Sequence, residues 1–194
     1  MKHVILPALL ALTAACATSA PARFDSFEAA EAADFQSYDQ VYLAPITASQ
    51  DILDRIGARP ISRTDRLRSL DQDDVDDQIA DLREAITERV GEVATLVDAP
   101  GPGVLTMTVT LTQLQSNRPT MAEMRADPSL SYQSVSIGAA AVDVVLSEQG
   151  RTLATIEDDN FLRQIDDPAV SSRRWATADI YFDRLSRKLA ALVA

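Results

Sequence analysis

Residues 104–115, "VLTMTVTLTQLQ", switch between apolar and polar at every step. Leu105, Met107, Val109 and Leu111 fall on one side of an extended chain, and Thr106, Thr108, Thr110 and Thr112 on the other. A period of two is the pattern of a strand with one buried face. The threonines suit a solvated second face, so the strand belongs in an antiparallel sheet that is covered on one side. The apolar side then needs an amphipathic layer to close it.

Two segments can supply that layer. Val75, Ile79, Leu82, Ile86, Val90 and Val93 recur at spacings of four and three, one apolar stripe of a helix. Ser69 and Gln72 stand at capping-box spacing before it, and acidic residues crowd its first turns, where the helix dipole favours them. A second helix runs from about Trp175, with Phe182, Leu185, Leu189 and Leu192 inward. Further strands are expected at "QVYLAPI" (residues 40–46), "ATLVDAP", "SVSIGAAAVDVVLSEQG" and "RTLATIEDDNF". "SEQG" joins the last two as a hairpin, and the small residues Gly138 to Ala141 imply a bulge or close packing. Residues 24–35, "FDSFEAAEAADF", read as a short helix, and the segment holding Pro119 and Pro128 reads as a long loop. The expected order is β-α-β-β-β-β-α. This is an α+β fold: a mostly antiparallel sheet of four to five strands with two main helices on one face.

The chain opens "MKHVILPALLALTAAC". Lys2 is followed by the apolar run Val4 to Leu12, then small residues up to Cys16, the single cysteine. That is the layout of a secretory signal. Nine helical residues reach ~14 Å, too short for ~30 Å of hydrocarbon. Leu12-Thr13-Ala14-Ala15-Cys16 resembles the lipobox of bacterial lipoproteins, which implies cleavage before Cys16 and lipidation of its sulfur; the alternative is an ordinary cut after Ala17 or Ala20. The division expected is a lipoprotein signal peptide at residues 1–15, a lipidated N-terminus and tether at 16–35, and one globular domain at 36–194.

Net charge is −11 and the single histidine is His3, inside the leader. An acidic chain is poorly suited to nucleic acid, and it leaves membrane attachment to acyl chains. Without a histidine beyond the leader, Ser-His-Asp and Cys-His sites are excluded from the mature chain and zinc loses its preferred ligands. In "DQDDVDDQIADL", Asp71 and Asp73 fit the start of a calcium loop, but Val75 and Asp76 break it where an acidic ligand and a glycine are required. "EDDN", Glu157 to Asn160, offers neighbouring carboxylates for acid–base work or merely a hydrophilic strand end. Ser186 and Lys188 are two apart on a helix and do not face each other. No cofactor or metal is expected.

Four segments, "YDQVYLAPI", "PGPGVLTMTVTLTQLQSN", "SIGAAAVDVVLSEQGRTLATIEDD" and "WATADIYFDRLSRKLAALV", resemble a family of bacterial lipoproteins known as domain of unknown function thirty-three thirteen. The resemblance covers roughly residues 36 to 194 and includes an acidic residue, Asp143, in the fourth strand. "LTAAC" is similar to a lipobox, with Thr13 in place of the more usual Leu. The resemblance implies a compartment and a fold and carries no established activity. It places Cys16 as the lipidated residue, and Ala17, where Asp would retain the protein in the inner membrane, favours the outer membrane.

The expected role is therefore a lipid-anchored envelope protein facing the periplasm, with an interaction or structural module and no catalysis. Its partners would be the membrane, through acyl chains, and an envelope protein or polymer. The alternatives are a carboxylate-dependent enzyme on envelope glycans and a small-ligand or lipid carrier. Arg55, Arg59, Arg63, Arg66 and Arg68 fall in one polar loop. They suit lipid phosphates, glycan carboxylates or an acidic protein surface, or pairing with the adjacent Asp cluster.

Overall fold

In the computed structural model the described residues are 23–31, 33–58, 69–134, 138–161 and 173–194. The strands are β1 (Ser26–Ala29), β2 (Gln40–Leu43), β3 (Thr47–Ala48), β4 (Thr95–Leu96), β5 (Val104–Gln115), β6 (Ala139–Glu148) and β7 (Arg151–Phe161). The helices are α1 (Gln50–Leu53), α2 (Gln72–Gly91), α3 (Met121–Ala126) and α4 (Ala176–Val193), with a 3-10 turn at Phe35–Ser37.

β5 is the spine. Leu105, Met107, Val109 and Leu111 are fully buried and Thr108 is exposed, as the alternation requires. The register against β6 slips between Leu111 and Gln113. That bulge takes Thr112 out of step, so Leu114 rather than Gln113 returns to the core. β6 pairs antiparallel with β5, setting Val144 opposite Val109 and Asp143 opposite Thr110. β6 turns into β7 through Gln149 (φ 49°) and Gly150 (φ 80°), the left-handed pair that a two-residue hairpin prefers.

The sheet is larger and less uniform than expected. Its order is β1-β7-β6-β5-β2-β4, with β3 also on β5, seven strands in all. β1 is antiparallel to β7, but β2 and β3 run parallel to β5, and β4 parallel to β2. This corrects the expectation of four to five mostly antiparallel strands. The chain leaves β2, passes through α2 and returns as β4, and a strand–helix–strand crossover brings its second strand back parallel. The extra edge strand lies in "FDSFEAAEAADF". Its alanines and glutamates favour helix, yet the edge of β7 offers a ladder, and Phe27 packs 6.0 Å from Phe24 and 6.2 Å from Phe35 between ring centroids. Propensity yields here to a tertiary partner.

α2 and α4 lie side by side on the core face, where Arg89 reaches Asp183 at 3.5 Å. α2 buries Val75, Leu82, Ile86 and Val90, plus Gln78 within the stripe, while Val93 lies beyond its end and is exposed. Its start is held by Asp71 N–H donating to the Asp74 carboxylate at 3.3 Å, not by Ser69 with Gln72. α4 buries Tyr181, Phe182, Leu185, Leu189 and Val193, and Leu192 is only half-buried. No described helix is long and apolar enough to cross a membrane.

No described helix packs on the other face of the sheet. Asp143 on β6 faces Glu157 on β7, and both are exposed. Two like charges directly opposite repel, and exposure to water is what makes the pair tolerable.

Candidate functional site

The carboxylates singled out in the sequence separate. Glu157 points to the bare sheet face, and Asp158, the next residue, points inward to α4. There its Oδ1 accepts a 2.5 Å hydrogen bond from Lys188 Nζ. Burial pushes the Asp158 carboxyl above its ordinary value, and the Lys188 hydrogen bond and charge pull it partly back. Tyr181 fills the space beside it and donates from Oη to the Asp158 carbonyl at 2.6 Å. Ser186 plays no part, donating instead to the Asp183 carbonyl. Of the five loop arginines, Arg55 is described and half-buried beside the Ile56–Leu70 bridge. Arg59, Arg63, Arg66 and Arg68 lie outside the described residues, as does Cys16. Among the described residues no three His, Cys, Asp or Glu side chains converge to hold a metal ion.

The densest polar cluster is one that sequence reasoning missed. It forms where the ends of β5, α3, β6 and α4 meet. Glu123 on α3 is 1% exposed. Its Oε2 accepts from Thr120 N–H at 2.7 Å and from Ser116 Oγ at 3.3 Å, and its own N–H donates to Thr120 Oγ1 at 3.1 Å. Thr120 Oγ1 in turn donates to the Ser69 carbonyl at 3.3 Å, ahead of α2. Beside it, Asn117 Nδ2 donates to Thr177 Oγ1, and Thr177 N–H to Asn117 Oδ1, each at 2.8 Å. This pair seats the first turn of α4. A Cβ on Gly138 would stand 2.5 Å from Asn117 Oδ1 and 2.6 Å from Thr177 Oγ1, so the glycine is what lets β6 start against the pair. Close packing, not a bulge, is thus the reason for the small residue at 138. A signal for α3 was present: "TMAE", Thr120 to Glu123, is a capping box.

Burial pushes the Glu123 carboxyl up to about 7, the Thr120 and Ser116 hydrogen bonds and Arg55 pulling it down and Asp74 raising it further. The group therefore changes protonation near neutrality but is closed to solvent. Its chemistry is that of a latch tying four elements together. The folded value exceeds the ordinary 4.5, so folding favours the protonated form. That stability is complete below pH 4.5 and is lost as pH rises through 7, a difference of ~3 kcal/mol. Glu123→Gln, which keeps the acceptor for Thr120 N–H, is expected to raise stability at pH 8 by ~2–3 kcal/mol and to change little at pH 5. Urea unfolding at the two pH values checks this; equal changes at both would remove Glu123 as the titrating group.

No curated protein matches the chain. A family model described as Protein of unknown function (DUF3313) matches residues 29–189. That span runs from the last residue of β1 to Leu189 in α4, taking in β2 to β7, the polar cluster and the Asp158–Lys188 pair. By that match over most of its length, the chain belongs to the family DUF3313.

Proposed function

We propose that this chain is a lipid-anchored cell-envelope protein whose α+β domain faces the periplasm and serves as an interaction or structural module. The observation that carries the reading is Cys16, standing directly after Leu12-Thr13-Ala14-Ala15 behind a short apolar run. Arg23, the first described residue, stands seven positions after Cys16. At ~3.5 Å per residue that chain spans at most ~25 Å, so an acylated Cys16 would keep the domain near the bilayer surface. The sheet face on which no described helix packs, with Thr108, Asp143, Thr155 and Glu157 exposed, supports a role in contact with another molecule. Glu157 and Asp158 point to opposite faces of the sheet and so do not pair with each other as acid and base.

Metabolic labelling with palmitate is expected to mark the native protein and to fail on Cys16→Ser. Equal labelling of the two would remove the anchor. Ala17 favours the outer membrane, so the labelled protein is expected to sediment with outer-membrane markers on a sucrose gradient; a band among inner-membrane markers overturns that assignment.

A further inference from the structure

A groove opens at the β4 edge of the sheet, away from both the bare face and the polar cluster. β4 pairs with only the first two residues of β2, and the chain turns off at Asp98, while β2 runs on through Leu43 toward Pro45. The space left between that edge and α2 is a cavity of about 440 Å³, within the range of small-ligand sites. Leu43, Pro45 and Leu96 give it an apolar lining.

Its polar groups are sorted by charge. On the α2 wall, Arg83 Nη2 donates to the Ala44 carbonyl at 2.8 Å, which fixes the guanidinium at the groove. The rest of its fork meets no carboxylate among the described residues. Arg89, Arg125, Arg173, Arg174 and Arg187 each have one within ion-pair distance. Arg83 is thus positioned by a backbone carbonyl and left without a carboxylate partner among the described residues, in a chain of net charge −11. Thr87, one turn further along α2, lies on the same side with its side chain exposed. On the other wall stands the Asp98 carboxylate.

We propose that this groove binds a short zwitterionic peptide, its carboxylate held by Arg83 and Thr87, its ammonium by Asp98, and its side chains against Leu43, Pro45 and Leu96. A guanidinium fork matches a carboxylate in geometry as well as charge. The site does not depend on the anchor and goes beyond the interaction role assigned above.

The dipeptide Ala-Val, titrated into the full chain by calorimetry and followed by amide chemical shifts, is expected to bind saturably and to move resonances around Leu43, Arg83 and Leu96. Amidating its C-terminus or acetylating its N-terminus is expected to weaken binding at least about tenfold, ~1.4 kcal/mol each. Arg83→Gln is expected to abolish binding, and Asp98→Asn to erase the discrimination against the acetylated form. Should Arg83→Gln lower the melting temperature, Thr87→Glu decides: at that exposed position a carboxylate leaves the fold intact and repels the ligand's own. Absence of saturable binding, or binding by Thr87→Glu equal to that of the native chain, overturns the proposal.

Discussion

Val109→Asp is expected to leave the domain unfolded at 25 °C, whereas Thr108→Lys, one residue earlier, should melt close to the native protein. Val109 has no exposure and faces Val144, itself fully buried, across the β5–β6 ladder. A carboxylate there has no partner among the surrounding aliphatic side chains. Burying it costs several kcal/mol, or forces it to hold a proton at neutral pH. Loss of the valine packing adds to this, and the sum is comparable with the ~5–15 kcal/mol that holds a domain together. Thr108 points to the other side of the same strand, where no described helix packs and Val145 is its cross-strand neighbour. A lysine can extend into water from that position, at a cost of about 0.5–1 kcal/mol in strand preference. Circular dichroism melts of the two variants settle the matter. Unfolding of both would mean that the bare face is covered in the native protein, and the reverse ranking would mean that the strand sits one residue out of register.

That contrast shows which kind of information the sequence carried. The β5 alternation, the α2 and α4 stripes and the Gln149–Gly150 hairpin are each set by residues close in the chain, so period and turn chemistry find them. The parallel pairing of β2 with β5 is not written locally. Its partners, Val41 with Leu105 and Leu43 with Met107, lie more than sixty residues apart, and an apolar strand segment looks the same whichever direction its neighbour runs. β1 is harder still, because Ala- and Glu-rich sequence argues for helix and only the open edge of β7 reverses it. The polar cluster divides in the same way. Thr120 and Glu123 form a local capping box that could have been read. The Asn117–Thr177 pair spans sixty positions and depends on Gly138 making room for it. Asp158 stood out in the sequence as a carboxylate, but its role depended on which side of β7 it faced and on a lysine thirty residues later.

Lys188→Met is expected to cost about 3–5 kcal/mol at pH 7.5, because it strands a buried charge rather than because the ion pair itself is strong. The Asp158 side chain has no exposure, and the Lys188 side chain keeps 19%. Asp158 Oδ1 relies on Lys188, and Oδ2 has no hydrogen-bond partner among the described residues. The lysine is also held in place, its Nζ lying 5.3 Å from the centroid of the Phe24 ring. Methionine would fill much of the same volume, so what the variant loses is the cation. The double variant Lys188→Met with Asp158→Leu is then expected to recover most of the stability, since an apolar pair of similar bulk can match or exceed a buried ion pair. The pH dependence separates this cause from lost packing. Burial already holds the Asp158 carboxyl above its ordinary 3.8 in the native protein, and Lys188 opposes that rise. Removing the lysine raises it further. A raised folded value means that the stability tied to the protonated form is complete below pH 3.8 and is lost as pH rises through the folded value. The deficit of Lys188→Met relative to the native chain should therefore shrink from pH 7.5 to pH 5. The titration of Glu123 is common to both chains and cancels in the difference. A deficit that stays constant across that range, or a double variant as unstable as the single one, would show that Lys188 contributes through packing against Phe24 and not through the Asp158 charge.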